Sequence, residues 1–130
     1  MIRLAMPAML CIAAFTITAA APQQTADERL AQRLDGLTAG KPVNCVSMRD
    51  VTQVKGYGNT LLYIQGRNRV WRNETNGGCE GIARRDDIMV TRTVSAQYCR
   101  GDMIETRDRS GGQFTGACSL GDFTPYTKVK

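Results

Sequence analysis

The residues best equipped for chemistry are arginines. Nine of them, Arg67, Arg69, Arg72, Arg84, Arg85, Arg92, Arg100, Arg107 and Arg109, fall between positions 67 and 109 of a 130-residue chain. A guanidinium is planar and permanently charged, and its fork of donors matches a carboxylate or a phosphate. Arg67, Arg69 and Arg72 crowd a glycine-centred turn together with Tyr63 and Trp71, and Arg92 follows in a β-rich stretch. If these side chains converge on one sheet face, they make a site for an anionic envelope glycan or a lipid headgroup. If they scatter, they are an ordinary solvated surface.

Proton-transfer and nucleophilic chemistry finds less support. The chain contains no histidine, which removes the usual serine and cysteine triads. Asp86, Asp87, Asp102, Glu105 and Asp108 offer the raw material for a paired-carboxylate hydrolase, yet they sit among arginines and turn residues, where solvated carboxylates and ion pairs are the ordinary outcome. No calcium-binding oxygen cluster and no cofactor motif is present, so neither a metal nor a cofactor is expected. Arg100-Gly101-Asp102 spells an adhesion tripeptide, and Asn73-Glu74-Thr75 fits a glycosylation acceptor. Matches this short arise by chance, and both are set aside.

The compartment follows from the amino terminus. A short basic start at Arg3 leads into an apolar run from Leu4 to Ala21, with small residues at Thr18 to Ala21. That is the pattern of a secretory signal peptide, with cleavage expected after Ala20. The run is marginal in length for a spanning helix, and polar residues follow at once, so no membrane span is expected in the mature chain. Cys11 leaves with the signal. The remaining Cys45, Cys79, Cys99 and Cys118 are an even number in a short exported chain, which reads as two disulfides in any of three pairings. A structural zinc site is disfavoured by the lack of histidine and of any CxxC pair.

About 110 mature residues make one domain with a modest core, covering 43–130, after a segment 21–42 that carries a helix. The net charge of +5 on the whole chain favours anionic partners, and in an exported protein those are envelope lipids and polymers rather than nucleic acid.

Thr25-Ala26-Asp27-Glu28 is a capping box, so a helix starts there. Leu30, Leu34 and Leu37 mark its apolar stripe, and Gly40 and Pro42 end it. From Val43 onward the pattern becomes short β-rich runs broken by glycine and asparagine. Thr60–Gln65 and Val70–Thr75 flank Gly66 to Arg69 as a hairpin, and apolar residues on both faces of its first strand predict a covered position. Met103–Asp108 and Gln113–Cys118 form a second hairpin, and Leu120 to Lys130 is a tail. The stretch from Asp87 to Asp102 is dense in β-formers and predicts a central strand. The fold expected is a mostly β, disulfide-stapled small barrel or sandwich with one amino-terminal amphipathic helix.

Gly40-Lys41-Pro42-Val43-Asn44-Cys45, the central Asp87 to Thr93, Cys99-Arg100-Gly101-Asp102 and Leu120 to Tyr126 occur in an order that resembles uncharacterised small exported proteins of alphaproteobacteria, of the sphingomonad type. The resemblance covers most of the mature chain. It implies a Gram-negative envelope protein, in the periplasm or outer envelope, and no activity. It also implies the pairing Cys45 with Cys99 and Cys79 with Cys118. The function expected is non-catalytic binding or an accessory role, with inhibition of a periplasmic enzyme and carboxylate-pair hydrolysis as alternatives.

Overall fold

The computed structural model describes residues 20–129. The signal-peptide reading of 1–20 therefore lies, apart from Ala20, outside the described residues, as does Cys11. Helix α1 spans Ala26–Leu34, followed by β1 (Leu37–Ala39), β2 (Cys45–Ser47), β3 (Gln53–Tyr57), β4 (Thr60–Gln65), β5 (Arg69–Glu74) and β6 (Asn76–Gly77). A single helical turn, α2 (Gly81–Arg84), then leads to β7 (Ile88–Thr91), β8 (Gln97–Cys99), β9 (Met103–Arg107), β10 (Phe114–Ser119) and β11 (Phe123–Lys128).

The strands form three sheets, ordered β1-β11-β5-β4-β3, β6-β10-β9-β7 and β2-β8, with every pairing antiparallel. They do not close into a barrel. The five-stranded sheet is covered on both faces, because successive residues of β4 point to opposite sides. Leu61 and Tyr63 join Val46, Ile104, Leu120 and Phe123 in the main core, which draws on all three sheets. Leu62 packs with Val70 and Leu30 on the other side, beneath α1. Burying a leucine such as Leu30 is worth about 1.5 to 3 kcal/mol, and this holds the short helix where its own propensity would not.

The capping box forms as the sequence predicts. Thr25 Oγ1 accepts from the Glu28 amide at 3.2 Å, and the Glu28 carboxylate accepts from the Thr25 amide at 2.8 Å. The helix ends sooner than the leucine stripe suggests. Gly36 takes a left-handed φ of 72°, a conformation glycine adopts without steric cost, and Leu37 starts a strand. That strand pairs with β11, so the segment 21–42 contributes to the sheet as well as the helix.

Two further expectations are corrected. Asp87 to Asp102 is not a central strand: β7 lies at the edge of the four-stranded sheet, and β8 pairs with β2 in a separate sheet. The tail is a strand inside the five-stranded sheet, and Phe123 is fully buried. Pro125 is tolerated there because its carbonyl accepts from the Gly40 amide at 2.7 Å. Its own nitrogen faces the same side, opposite Gly40 and just past the end of β1, so the reciprocal bond that a proline cannot donate falls at the end of the β1–β11 ladder and not within it.

Both disulfides are present, Cys45–Cys99 across the β2–β8 pair and Cys79–Cys118 within the core. Bonded in this way the four cysteines are not zinc ligands, and the pairs fit an oxidising, extracytoplasmic compartment. Among the described residues no helix is long and apolar enough to cross a membrane.

Candidate anion-binding groove

The β4–β5 hairpin turns at Gly66, whose φ of 61° closes the tight connection. The turn delivers Arg67 and Asn68 to the tip, and Arg69 opens the returning strand. Strand β11 runs back beside β5, with Thr127 opposite Arg69. The Lys128 amide donates to the Asn68 carbonyl at 3.4 Å. Between hairpin tip and strand end lies an open groove of about 550 Å³ lined by Gln65, Arg67, Asn68, Arg69, Thr127, Lys128 and Val129.

Three of these seven residues are cationic and none is acidic. Among the described residues, Arg67, Arg69 and Lys128 make no ion pair. Like charges held this close repel one another, and a negative group placed in the groove would relieve that repulsion. Trp71 stiffens the site from below. Its indole N–H donates to Gln65 Oε1 at 2.9 Å, and the Arg69 guanidinium carbon sits 5.7 Å from the ring centroid. That distance is within the range of a cation–π contact, so Arg69 is partly preorganised.

Of the residues expected to bind, the structure thus brings together Arg67, Arg69 and Trp71. The other three lie elsewhere. Tyr63 is fully buried and packs against Tyr98 and Phe123 at 5.0 and 5.2 Å between ring centroids. Its phenol donates to the Met89 sulfur at 3.8 Å, and burial pushes its pKa far above the ordinary tyrosine range. Arg72 follows Trp71 and so points to the opposite face, where it pairs with Glu74 at 2.6 Å. Arg92 stands beside the four-stranded sheet, 3.5 Å from Glu105. Lys128 was not foreseen, since only the return of β11 alongside the hairpin gives it a place in the groove.

The carboxylates are held by donors. Asp87, read from sequence as a solvated loop residue, is buried, its side chain 1% exposed. It accepts from Arg85 at 2.7 Å and from the Thr115 hydroxyl at 2.7 Å. Thr115 reaches it because the β9–β10 ladder slips register between Phe114 and Gly116, and a bulge re-aims the extra side chain. Arg85, then Thr115, hold the Asp87 carboxyl below its ordinary pKa. The backbone amides of Gly111 and Gly112 do the same for Asp108, at 2.7 and 2.9 Å. Asp102 accepts from the Cys99 amide, Glu105 lies between Arg92 and Arg107, and Asp86 pairs with Arg109.

The two short motifs also have structural employment. Arg100 pairs with Asp122, and Gly101 takes a φ of 87° in the turn after Cys99. Asn73 is fully buried and clamps Gly121 through both ends of its amide, donating to the carbonyl at 2.8 Å and accepting from the N–H at 2.9 Å. Comparison with protein-family models, with curated proteins and with solved structures finds no match to this chain.

Proposed function

We propose that this protein is an exported, non-catalytic binding module of the bacterial envelope, and that it grips an anionic glycan or lipid headgroup at the tip of the β4–β5 hairpin. The observation that carries this reading is the groove of Arg67, Arg69 and Lys128, cations left without an acidic partner while the arginines elsewhere on the two main sheets are paired. The two disulfides support export, and the envelope supplies phosphate and carboxylate polymers as ligands. The stacked five- and four-stranded sheets, read as an open sandwich, form a rigid base for the hairpin.

The test is titration of the oxidised protein with phosphatidylglycerol vesicles and, separately, with a polyuronate. Binding that weakens steeply between low and high salt supports the reading, because paired surface charges are screened over about 8 to 10 Å at physiological ionic strength. Binding to neither probe at low salt counts against it. Binding to one alone assigns the source of the anion.

The inhibitor reading draws on a different feature. Val94 is fully exposed in the segment joining β7 to β8, whose far end is tied by Cys99 to Cys45. Thr93 and Ser95 brace the segment with a hydroxyl contact at 3.2 Å. Rigid loops bind with less ordering cost. Slowed turnover of a periplasmic hydrolase by the wild type, but not by Val94→Asp, would move this reading ahead of the first. The hydrolase reading gains least, since Asp87 and Asp108 are shifted away from what a general acid needs.

A further inference from the structure

Helix α1 and the turn α2 straddle strand β3 at the edge of the five-stranded sheet. Lys55 stands opposite Leu62, which packs beneath α1, so Gln53, Lys55 and Tyr57 point to the helix side. Val54 stands opposite Tyr63 and points to the main core, where Ile82 of α2 is also buried. Gly56 lets α2 come close, since a Cβ there would stand 2.7 Å from the Ala83 nitrogen. The two helical elements thus wall an open cleft of about 560 Å³ whose floor is β3.

The cleft is cationic. Arg29 and Arg33 stand one helical turn apart on the same side of α1, with about 6 Å between their Cα atoms, and Lys55 rises from the floor beside them. Among the described residues none of the three makes an ion pair. Asp86 is the one carboxylate in the lining, and Arg109 already holds it at 3.1 Å. Gln32, Gln53 and Tyr57 complete the polar lining, with the Tyr57 ring packed against the cluster of Leu30, Leu62 and Val70.

This set of side chains suits a sugar acid better than a bare anion. The guanidinium and ammonium groups take a carboxylate. Each carboxamide both donates and accepts, which matches a hydroxyl that does the same. Tyr57 supplies an apolar ring with a polar tip.

We propose that the cleft between α1, β3 and α2 is a second binding site, separate from the hairpin groove, and that it takes an acidic saccharide of the uronate class. The two sites share no lining residue. Lys55 is opposite Leu62 and Leu62 opposite Arg72, so Lys55 and Arg69 lie two strands apart and three residues along, about 14 Å between Cα atoms. Occupancy of each site can therefore be followed separately, and the cleft stands or falls on its own residues.

Titration of the oxidised, isotope-labelled protein with digalacturonate, followed by amide NMR, tests the proposal. Saturable shifts are expected at Gln53, Lys55, Tyr57 and Ala83. Arg29→Ala/Arg33→Ala puts a good helix former at two exposed positions and is expected to keep the fold and bind about tenfold more weakly. Should that variant not fold, Lys55→Ala decides in its place. Arg67→Ala/Arg69→Ala is expected to leave the shifts at the cleft unchanged. Neutral galactobiose and inorganic phosphate are each expected to bind about tenfold more weakly than digalacturonate. Shifts indifferent to loss of the cleft cations, or equal binding of the neutral sugar or of phosphate, overturn the proposal. Shifts confined to the hairpin tip also overturn it while leaving the groove reading intact, and shifts confined to the cleft uphold it while the groove reading falls. No shift at either place overturns it outright.

Discussion

The two disulfides close loops of similar length but sit in different surroundings, and this yields a comparison sharper than either deletion alone. Cys45–Cys99 spans 54 residues and Cys79–Cys118 spans 39. In the chain-entropy account each is worth about 4 kcal/mol, with the first slightly ahead. Packing reverses that order. Cys79 and Cys118 are 2% and 1% exposed, among Leu61, Ile104 and Phe123, so replacing both with alanine also removes two sulfurs from the core and leaves a void. Cys45 and Cys99 are only half-buried and join two three-residue strands, which can part locally while the five-stranded sheet stays intact. The double variant Cys45→Ala/Cys99→Ala is expected to lose about 4 kcal/mol or less, a fall of roughly 15 to 25 °C in Tm for a domain of this size. Cys79→Ala/Cys118→Ala is expected to lose more. Urea and thermal melts followed by circular dichroism measure both, and hydrogen exchange at Val46 and Tyr98 reports local opening in the first variant. If the Cys45/Cys99 variant proves the less stable of the two, chain entropy outweighs packing and the reasoning from burial is refuted.

Two further perturbations probe polar groups. Asn73→Ala leaves the part-buried amide and carbonyl of Gly121 without their partner, each worth about 1 kcal/mol or a little more, so urea denaturation is expected to show a loss of roughly 1 to 3 kcal/mol, and an unchanged midpoint would mean that water replaces the clamp. Asp87 has a folded-state pKa below its unfolded value, so its contribution is present above about pH 4 and is lost as pH falls through the depressed folded value. Asp87→Asn is expected to flatten the decline of stability below pH 4, with Asp108 supplying what slope remains, and an acid-denaturation curve that keeps its wild-type slope would sink this assignment.

Local signals in the sequence translated directly into structure. Thr25 and Glu28 mark the helix start because a capping box is complete within four residues, and Gly66 marks the hairpin because only the turn needs a left-handed residue. The apolar residues on both faces of β4 foretold its covered position. Failures came where identity depends on distant partners. Leu37 continues the leucine stripe of α1 and equally suits β1, and only the turn at Gly36 separates them. The β-formers of Asp87 to Asp102 belong to two strands in two sheets, a division that propensity does not encode. Four residues of α2 are too few to show a period, and Pro125 disguised β11 as a tail.

The site was legible in the same measure. Arg67, Arg69 and Trp71 are neighbours in sequence and remain neighbours in space, whereas Lys128 joins them only through the ladder between β11 and β5. Tyr63 and Trp71 share a face, yet Tyr63 sits at the strand centre, where Phe123 and Tyr98 cover it. Alternation alone says nothing of that cover.

The most direct test of the groove compares co-sedimentation with phosphatidylglycerol vesicles and capture by an immobilised polyuronate for the wild type, Arg67→Ala/Arg69→Ala and Arg72→Ala. An arginine near an anionic surface contributes about 1 kcal/mol, so removing both groove arginines is expected to weaken binding roughly 30-fold at low salt. Arg72→Ala, on the opposite face, is expected to bind as the wild type does. Equal losses in the two variants, or no loss in the double variant, would contradict a site at the hairpin tip.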